Sequence, residues 1–358
     1  MRVRWAPLWL LAACAPVVQA AEPAGTFSIV AYDSLTNEVG VAVQSRVFGV
    51  GPRVAWVRGG VGAIATQAQS NESFGPTGLY LMDAGLSAEE ALDWLLGHDE
   101  GRDSRQVGVV DARGGVATWT GRGCMDWAGD SSGTTFACQG NILAGRAVVA
   151  EMVRAFTAAA GEELAERLIA ALEAGQAAGG DSRGQQSAAI LIGRPHRDYP
   201  EYTFRYVDIR VEDHASPIAE LRRLYEIYEA QGLLQAHMRF AEWMEASGDT
   251  AGAHAERDRV ARTLTRVLAR ESADAGTLNS LAWFCATHDL HLEESLVAAL
   301  RAVELQPEDA NILDTLAEVY FRLGRVGEAI ETEERALGLS PGDAYLQEQL
   351  QRFRSGSR

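Results

Sequence analysis

The sequence predicts an α+β protein in two parts: a four-layer αββα sandwich over residues 26–215, then an all-α region of tetratricopeptide-like helix pairs. Three observations predict it. Short β-rich runs come as hairpins on either side of a helical middle, the layout of two antiparallel sheets covered by helices. Strand signals vanish after Ser216. Pro307 and Pro341, 34 residues apart, each close a helical unit of the same design. The regular strand-helix alternation of a doubly wound sheet is missing.

The elements follow in chain order. Arg2 and Arg4 precede an apolar run over 5–15, and Val18-Gln19-Ala20 offers a small-residue cleavage site, so 1–20 reads as an export signal. The run is too short to span a bilayer. Leu11-Ala12-Ala13-Cys14 also resembles a bacterial lipobox, which would leave Cys14 acylated and the protein anchored to lipid. Both fates are open, and both place the mature protein in the periplasm or envelope. A cut before Thr26 would separate the chain from a lipid on Cys14.

Two runs, 26–33 and 38–45, are joined by a turn containing Ser34, Thr36 and Asn37 and predict a hairpin. Two more strands are expected at 54–57 and 61–66, then helices at 77–83 and 88–96. Ser87 and Glu90 give the second helix a capping box. A further hairpin is read at 106–110 and 116–119, helices at 142–158 and 162–174, and strands at 187–192 and 202–211. Residues 216–272 are expected to form a helical connector, and 273–350 the repeats. Leu316, Ala317, Tyr320, Gly324, Ala329 and Ala336 occupy repeat positions before Pro341, whereas Glu333 stands where the repeat wants an apolar side chain.

A formal net charge of −17, with no basic block beyond Arg2 and Arg4, disfavours nucleic acid as a partner. No metal and no cofactor is expected; the nearest approach to ligand spacing, His288 and His291, reads as a solvated helix connection. Cys124 and Cys138 lie close together in an exported, Gly-rich segment. Either a disulfide or two part-buried thiols fits them. Cys285 reads as a core residue.

Gly25-Thr26 opens the first strand with a hydroxyl nucleophile preceded by glycine. Polar residues gather in Gly-flanked motifs downstream: Gln67 with Asn71, Arg105-Gln106-Val107-Gly108, Gln139-Gly140-Asn141, and Gly180-Asp181-Ser182-Arg183 running on to Ser187. Carboxamides and glycines at strand ends suit a site made of amide donors.

With Thr26-Phe27-Ser28-Ile29-Val30-Ala31, Gly40-Val41-Ala42-Val43 and Asp213-His214, these motifs make the stretch from Thr26 to about Tyr225 resemble the domain of unknown function 1028 family. That resemblance implies an Ntn-hydrolase-like sandwich (N-terminal-nucleophile) with Thr26 as candidate nucleophile, its own freed amine acting as base. It further implies Arg46 as a cation beside that amine and Asn141, with Gln139, as oxyanion donors. Asp181 with Arg183 then orients the free amine, holds a substrate carboxylate or forms an internal ion pair that pins its loop; Gln67 and Asn71 are candidate substrate contacts, and Ser187 a supporting donor. Since an export cut after Ala20 leaves Thr26 internal, a second cut at Gly25-Thr26 is required.

Two functions from different classes follow. One is an exported amide-bond hydrolase acting on a small-molecule or peptide amide. The other is a non-catalytic envelope ligand-binding or scaffold protein whose repeats hold a protein partner. A homo-oligomer is compatible with repeats too few to stand alone.

Overall fold

The structure, a computed structural model, describes residues 25–195, 205–270 and 273–356. The export segment, Cys14 and the first three residues of the strand expected at 202–211 lie outside the described residues. Two antiparallel sheets organise the first part. The larger has the order β10-β9-β2-β1-β8-β7, with β1 (Thr26–Asp33), β2 (Glu38–Ser45), β7 (Gly129–Ser132), β8 (Phe136–Asn141), β9 (Ser187–Gly193) and β10 (Arg205–Val211). The smaller has the order β3-β4-β5-β6, with β3 (Ala55–Arg58), β4 (Gly62–Ala68), β5 (Arg105–Asp111) and β6 (Val116–Thr120).

Strand alternation sorts the side chains into three cores. Phe27, Ile29 and Ala31 of β1 pack outward with Met152 and Phe156 of α4 (Ala147–Ala158) and Leu168 and Leu172 of α5 (Leu164–Ala177). Val30, Val39, Val41 and Val43 meet Ala63, Ala65 and Val110 between the sheets. Ile64, Val107 and Val109 face Phe74 of α2 (Phe74–Asp83) and Leu92 and Leu95 of α3 (Ala88–Gly97). Helix, sheet, sheet and helix thus form four layers. Ser87 caps α3 as expected: its Oγ accepts from Glu90 N at 3.2 Å, and the Glu90 carboxylate accepts from Ser87 N at 2.8 Å.

Three expectations change. The sequence reading missed β7 and β8, whose glycines and carboxamides have little intrinsic strand preference; β8 nevertheless pairs directly with β1, Thr26 opposite Asn141. The helix expected from 142 begins at Ala147. The Cys124–Cys138 bridge is not formed, and both thiols are free. Alternation along β8 turns Cys138 into the outer core, where burial pushes its thiol pKa up. Cys124, in the loop after β6, instead donates to the Arg105 carbonyl of the other sheet at 3.4 Å.

A short helix, α1 (Val50–Val54), joins β2 to β3, a 3-10 turn (Arg102–Ser104) precedes β5, and after β10 every described element is helical: α6 (Pro217–Tyr228), a π-helical turn (Glu229–Leu233), α7 (Leu234–Ala246), α8 (Thr250–Leu268), α9 (Ala275–Thr287), α10 (Leu292–Leu305), α11 (Ala310–Arg322), α12 (Val326–Leu339) and α13 (Ala344–Ser355). The spacing of α9, α11 and α13 repeats the period read from the prolines, and Asp274, Asp309 and Asp343 cap their N-termini. The stretch 216–272 is more than a connector. Ile218, Leu221, Leu233 and Phe240 enter the outer core of the larger sheet, so α6 and α7 form part of its cover. A buried ionic seam reinforces the junction: Arg194 reaches Glu256 of α8 at 2.6 Å, Glu38 accepts from Arg259 at 3.1 Å, and His237 contacts Glu256 at 2.8 Å.

Candidate functional site

Thr26 begins β1, and alternation places its side chain on the inter-sheet face with those of Ser28 and Val30. It is 3% exposed. Its Oγ1 lies 2.9 Å from Ser45 Oγ, directly across the β1-β2 register. Ser45 Oγ donates to the Gly25 carbonyl at 2.5 Å. A serine hydroxyl has one proton, so Thr26 is the donor in the contact between the two hydroxyls.

The Gly25 carbonyl receives a second donor, Arg183 Nη2, at 3.1 Å. Arg183 is oriented by Asp181, with Nε 3.1 Å from Oδ1 and Nη2 2.7 Å from Oδ2. Asp181 also accepts the backbone N–H groups of Arg183 at 3.0 Å and Arg46 at 3.2 Å. Glycine at position 25 has a steric reason, because a Cβ there would sit 2.7 Å from both Asp181 carboxylate oxygens. The peptide linkage preceding Thr26 is therefore held by a hydroxyl and a guanidinium, with a carboxylate alongside.

Beneath it a chain of carboxamides joins the two sheets. Gln139 Nε2 donates to Ser28 Oγ at 2.7 Å, Ser28 Oγ donates to Gln67 Oε1 at 2.6 Å, and Gln67 Nε2 donates to Gln106 Oε1 at 2.8 Å. Asn141 Nδ2 donates to that same Gln106 oxygen at 3.0 Å, and Gln106 Nε2 reaches the Gly140 carbonyl at 2.8 Å. Gly108 lets Gln139 pass, since a Cβ there would lie 2.4 Å from Gln139 Oε1. A buried carboxamide without a partner costs about 1–3 kcal/mol, so this nearly closed network favours one sheet register over others.

The structure brings Thr26, Asp181, Arg183, Gln67, Gln139 and Asn141 together, but it changes several roles. Gln67, Gln139 and Asn141 direct amide donors at protein partners. The Arg46 side chain is exposed, and what it gives the site is its backbone N–H. Asn71 Oδ1 accepts from Ser73 N and Oγ at 3.2 and 2.7 Å, a turn at the start of α2. Ser187 Oγ donates to the Val47 carbonyl and accepts from Val50 N, pinning the loop after β2. The sequence reading gave no role to Ser45, Ser28 or Gln106. Strand parity was the available signal for Ser28, two residues from Thr26; Ser45 needed the hairpin register.

A cavity of about 30 Å³ borders Thr26, with Val47, Val50, Val54 and Gln67 in its wall and Arg53 and Ser70 among its other lining residues. That volume holds one or two waters. Among the described residues no group of three or more His, Cys, Asp or Glu side chains could hold a metal ion.

Protein SPO2555 from Silicibacter pomeroyi has a similar crystal structure: 31% identity, 58% of this chain and 88% of that chain covered, TM-score 0.53. Two further solved structures each match about a third of this chain. The second tetratricopeptide domain of human RPAP3, solved with an HSP70 peptide, is 18% identical over 34% of this chain and 98% of that one, with a TM-score of 0.25. The MamA protein is 17% identical over 34% of this chain and 81% of that one, also with a TM-score of 0.25. No curated protein is significantly similar. The family model of DUF1028, a family of unknown function, matches residues 26–221, and the chain belongs to that family.

Proposed function

We propose that the sheet domain is an exported amide-bond hydrolase of the N-terminal-nucleophile type, activated by cleavage of its own Gly25–Thr26 bond. The observation that carries the reading is the pair of donors, Ser45 Oγ and Arg183 Nη2, on the Gly25 carbonyl oxygen, with the Thr26 hydroxyl bound to the first of them. Thr26 Oγ1 attacks the Gly25 carbonyl carbon, and the two donors hold the resulting oxyanion. The hydroxyl proton passes through Ser45 to the Thr26 nitrogen. The C–N bond then breaks, leaving an ester on Oγ1 and a free amine. Water hydrolyses the ester to the Gly25 carboxylate and the Thr26 hydroxyl.

The released amine adjoins the Gly25 position that Ser45 and Asp181 face. It takes the Oγ1 proton as Thr26 attacks a substrate amide, returns it to the leaving amine, and activates the water that frees the acyl group. Asp181 and Arg183 then occupy the vacated Gly25 side, placed to orient the amine or the substrate.

The test combines intact mass with turnover of a panel of aminoacyl p-nitroanilides by full-length protein. The wild type should start at Thr26 and turn over a member of the panel. Thr26→Ala should stay uncut and inactive with nearly unchanged thermal stability. Activity in a chain whose Gly25–Thr26 bond is intact, or full activity in Thr26→Ala, ends the proposal. A second reading, a non-catalytic scaffold, draws on the internal use of the carboxamide donors and the small cavity at Thr26. An uncut, inactive wild type supports it.

A further inference from the structure

A cleft of about 420 Å³ opens in the helical region, between the π-helical turn with the start of α7 on one side and α9 on the other. Its volume lies in the range of small-molecule sites. Gln231, Gln235, Asn279, Ser280 and Trp283 line it over the buried Ala230 and Phe284. No charged side chain is among these lining residues, in a chain that is 23% charged overall.

The polar side chains of this cleft differ from the carboxamides beneath Thr26. Gln231, Gln235, Asn279, Ser280 and the Trp283 indole make no side-chain hydrogen bond among the described residues, and Asn279 Oδ1 is buried without a partner. Trp283 is half-buried and stacks on no other ring among the described residues. Its neighbour Phe284 packs against His288 with ring centroids 4.4 Å apart. The wide π turn sets the wall that carries Gln231, and such turns recur at functional sites.

We propose that this cleft is a binding site for a neutral saccharide, stacked on Trp283 and hydrogen-bonded by the three carboxamides and Ser280. A sugar hydroxyl both donates and accepts, which matches carboxamides that do the same from one planar group. The missing charge argues against an anionic or cationic ligand. Confinement to the π-helical turn, the first turn of α7 and one stretch of α9 argues against an extended peptide, which would run along successive repeats. The inference is independent of the chemistry at Thr26.

The experiment titrates full-length protein by calorimetry with chitobiose, cellobiose and maltose, then screens it on an array of neutral glycans. A glucuronic-acid disaccharide and an uncharged Ser/Asn hexapeptide are run in parallel. At least one neutral glycan should bind. Trp283→Ala should weaken it about tenfold, and Trp283→Phe, which keeps a stacking face, by less than about threefold. Gln235→Ala, at a part-exposed position, gives a second readout should Trp283→Ala fail to fold, and should also weaken binding. Absence of neutral-glycan binding, affinity unaltered in both Trp283→Ala and Gln235→Ala, or capture of the hexapeptide in place of every glycan overturns the proposal.

Discussion

Replacing Glu333 by leucine should stabilise the helical repeats, and the gain should grow as pH rises. Glu333 of α12 is 0% exposed, and neither carboxyl oxygen meets a hydrogen-bond donor among the described residues. Asp314 of α11 is 6% exposed, with Oδ1 equally unpartnered, and Glu318 is 2% exposed. Burial, then the charges of Asp314 and Glu318, pushes Glu333 up to about 8; burial, then Glu318, pushes Asp314 up to about 7. Arg352 opposes both shifts, but its guanidinium is engaged by Glu318, which also holds Arg322 at 2.7 Å.

The unfolded chain gives up these protons near the ordinary values of 3.8 and 4.5. Between about pH 4 and about pH 8 the folded state therefore binds more protons, and its stability falls as pH rises. At about 1.4 kcal/mol per tenfold change in acidity, moving one carboxyl from 4.5 to about 8 sets a ceiling near 5 kcal/mol. Asp314 titrates together with Glu333 and the helices can part around the pair, so a loss of about 2 kcal/mol from pH 5 to pH 9 is expected.

Glu333→Leu removes the share of that slope that Glu333 carries, leaving the share of Asp314, and also removes the buried unpaired carboxyl, a further gain of about 1–3 kcal/mol. For a helical region of this size each kcal/mol moves the melting point by about 2–4 °C. Circular-dichroism melts of full-length wild type and variant at pH 5, 7 and 9 read the effect. A wild-type melting point that holds or rises from pH 5 to pH 9, or a variant less stable than wild type at pH 9, would refute the reasoning.

Other outcomes are equally concrete. Gly25→Ala should displace Asp181 and Arg183 from the Gly25 carbonyl and slow release of Thr26, read by intact mass over time; unchanged release means that the clamp is unimportant. Arg194→Met, which strips the seam of one partner of Glu256, should destabilise the chain by about 3–5 kcal/mol in urea melts, and a loss below about 1 kcal/mol would show a seam already relaxed by solvent. Cys138 and Cys285, the latter pushed up to about 12 by burial, should resist a thiol reagent until the chain is unfolded. Reductant should leave the mass of the mature chain unchanged, whereas a two-dalton increase would restore the Cys124–Cys138 bridge.

Local signals carried much of this architecture into the sequence. The apolar alternation of 26–33 and 38–45, the Ser87/Glu90 capping box and the 34-residue proline spacing each act over a few turns or one strand pair, so they are legible without a partner. They located the first hairpin, α3 and the repeats, and the Gly-flanked polar motifs gave most of the residues around Thr26. What stayed hidden depended on apposition. β8 looks like a loop because Gln139, Gly140 and Asn141 are poor strand formers, yet pairing with β1 and the carboxamide chain hold it in the sheet. Only register brings Ser45 opposite Thr26, and only the approach of a loop 156 residues away sets Asp181 against Gly25. The Cys124–Cys138 spacing fitted a bridge and two free thiols alike, and the alternation of β8, which turns Cys138 into the outer core, selects the free thiols. Sequence by itself determined where hydroxyls, amides and helices fall along the chain; tertiary structure decided which of them meet, because hydrogen bonds and close packing select partners across space that no local preference encodes.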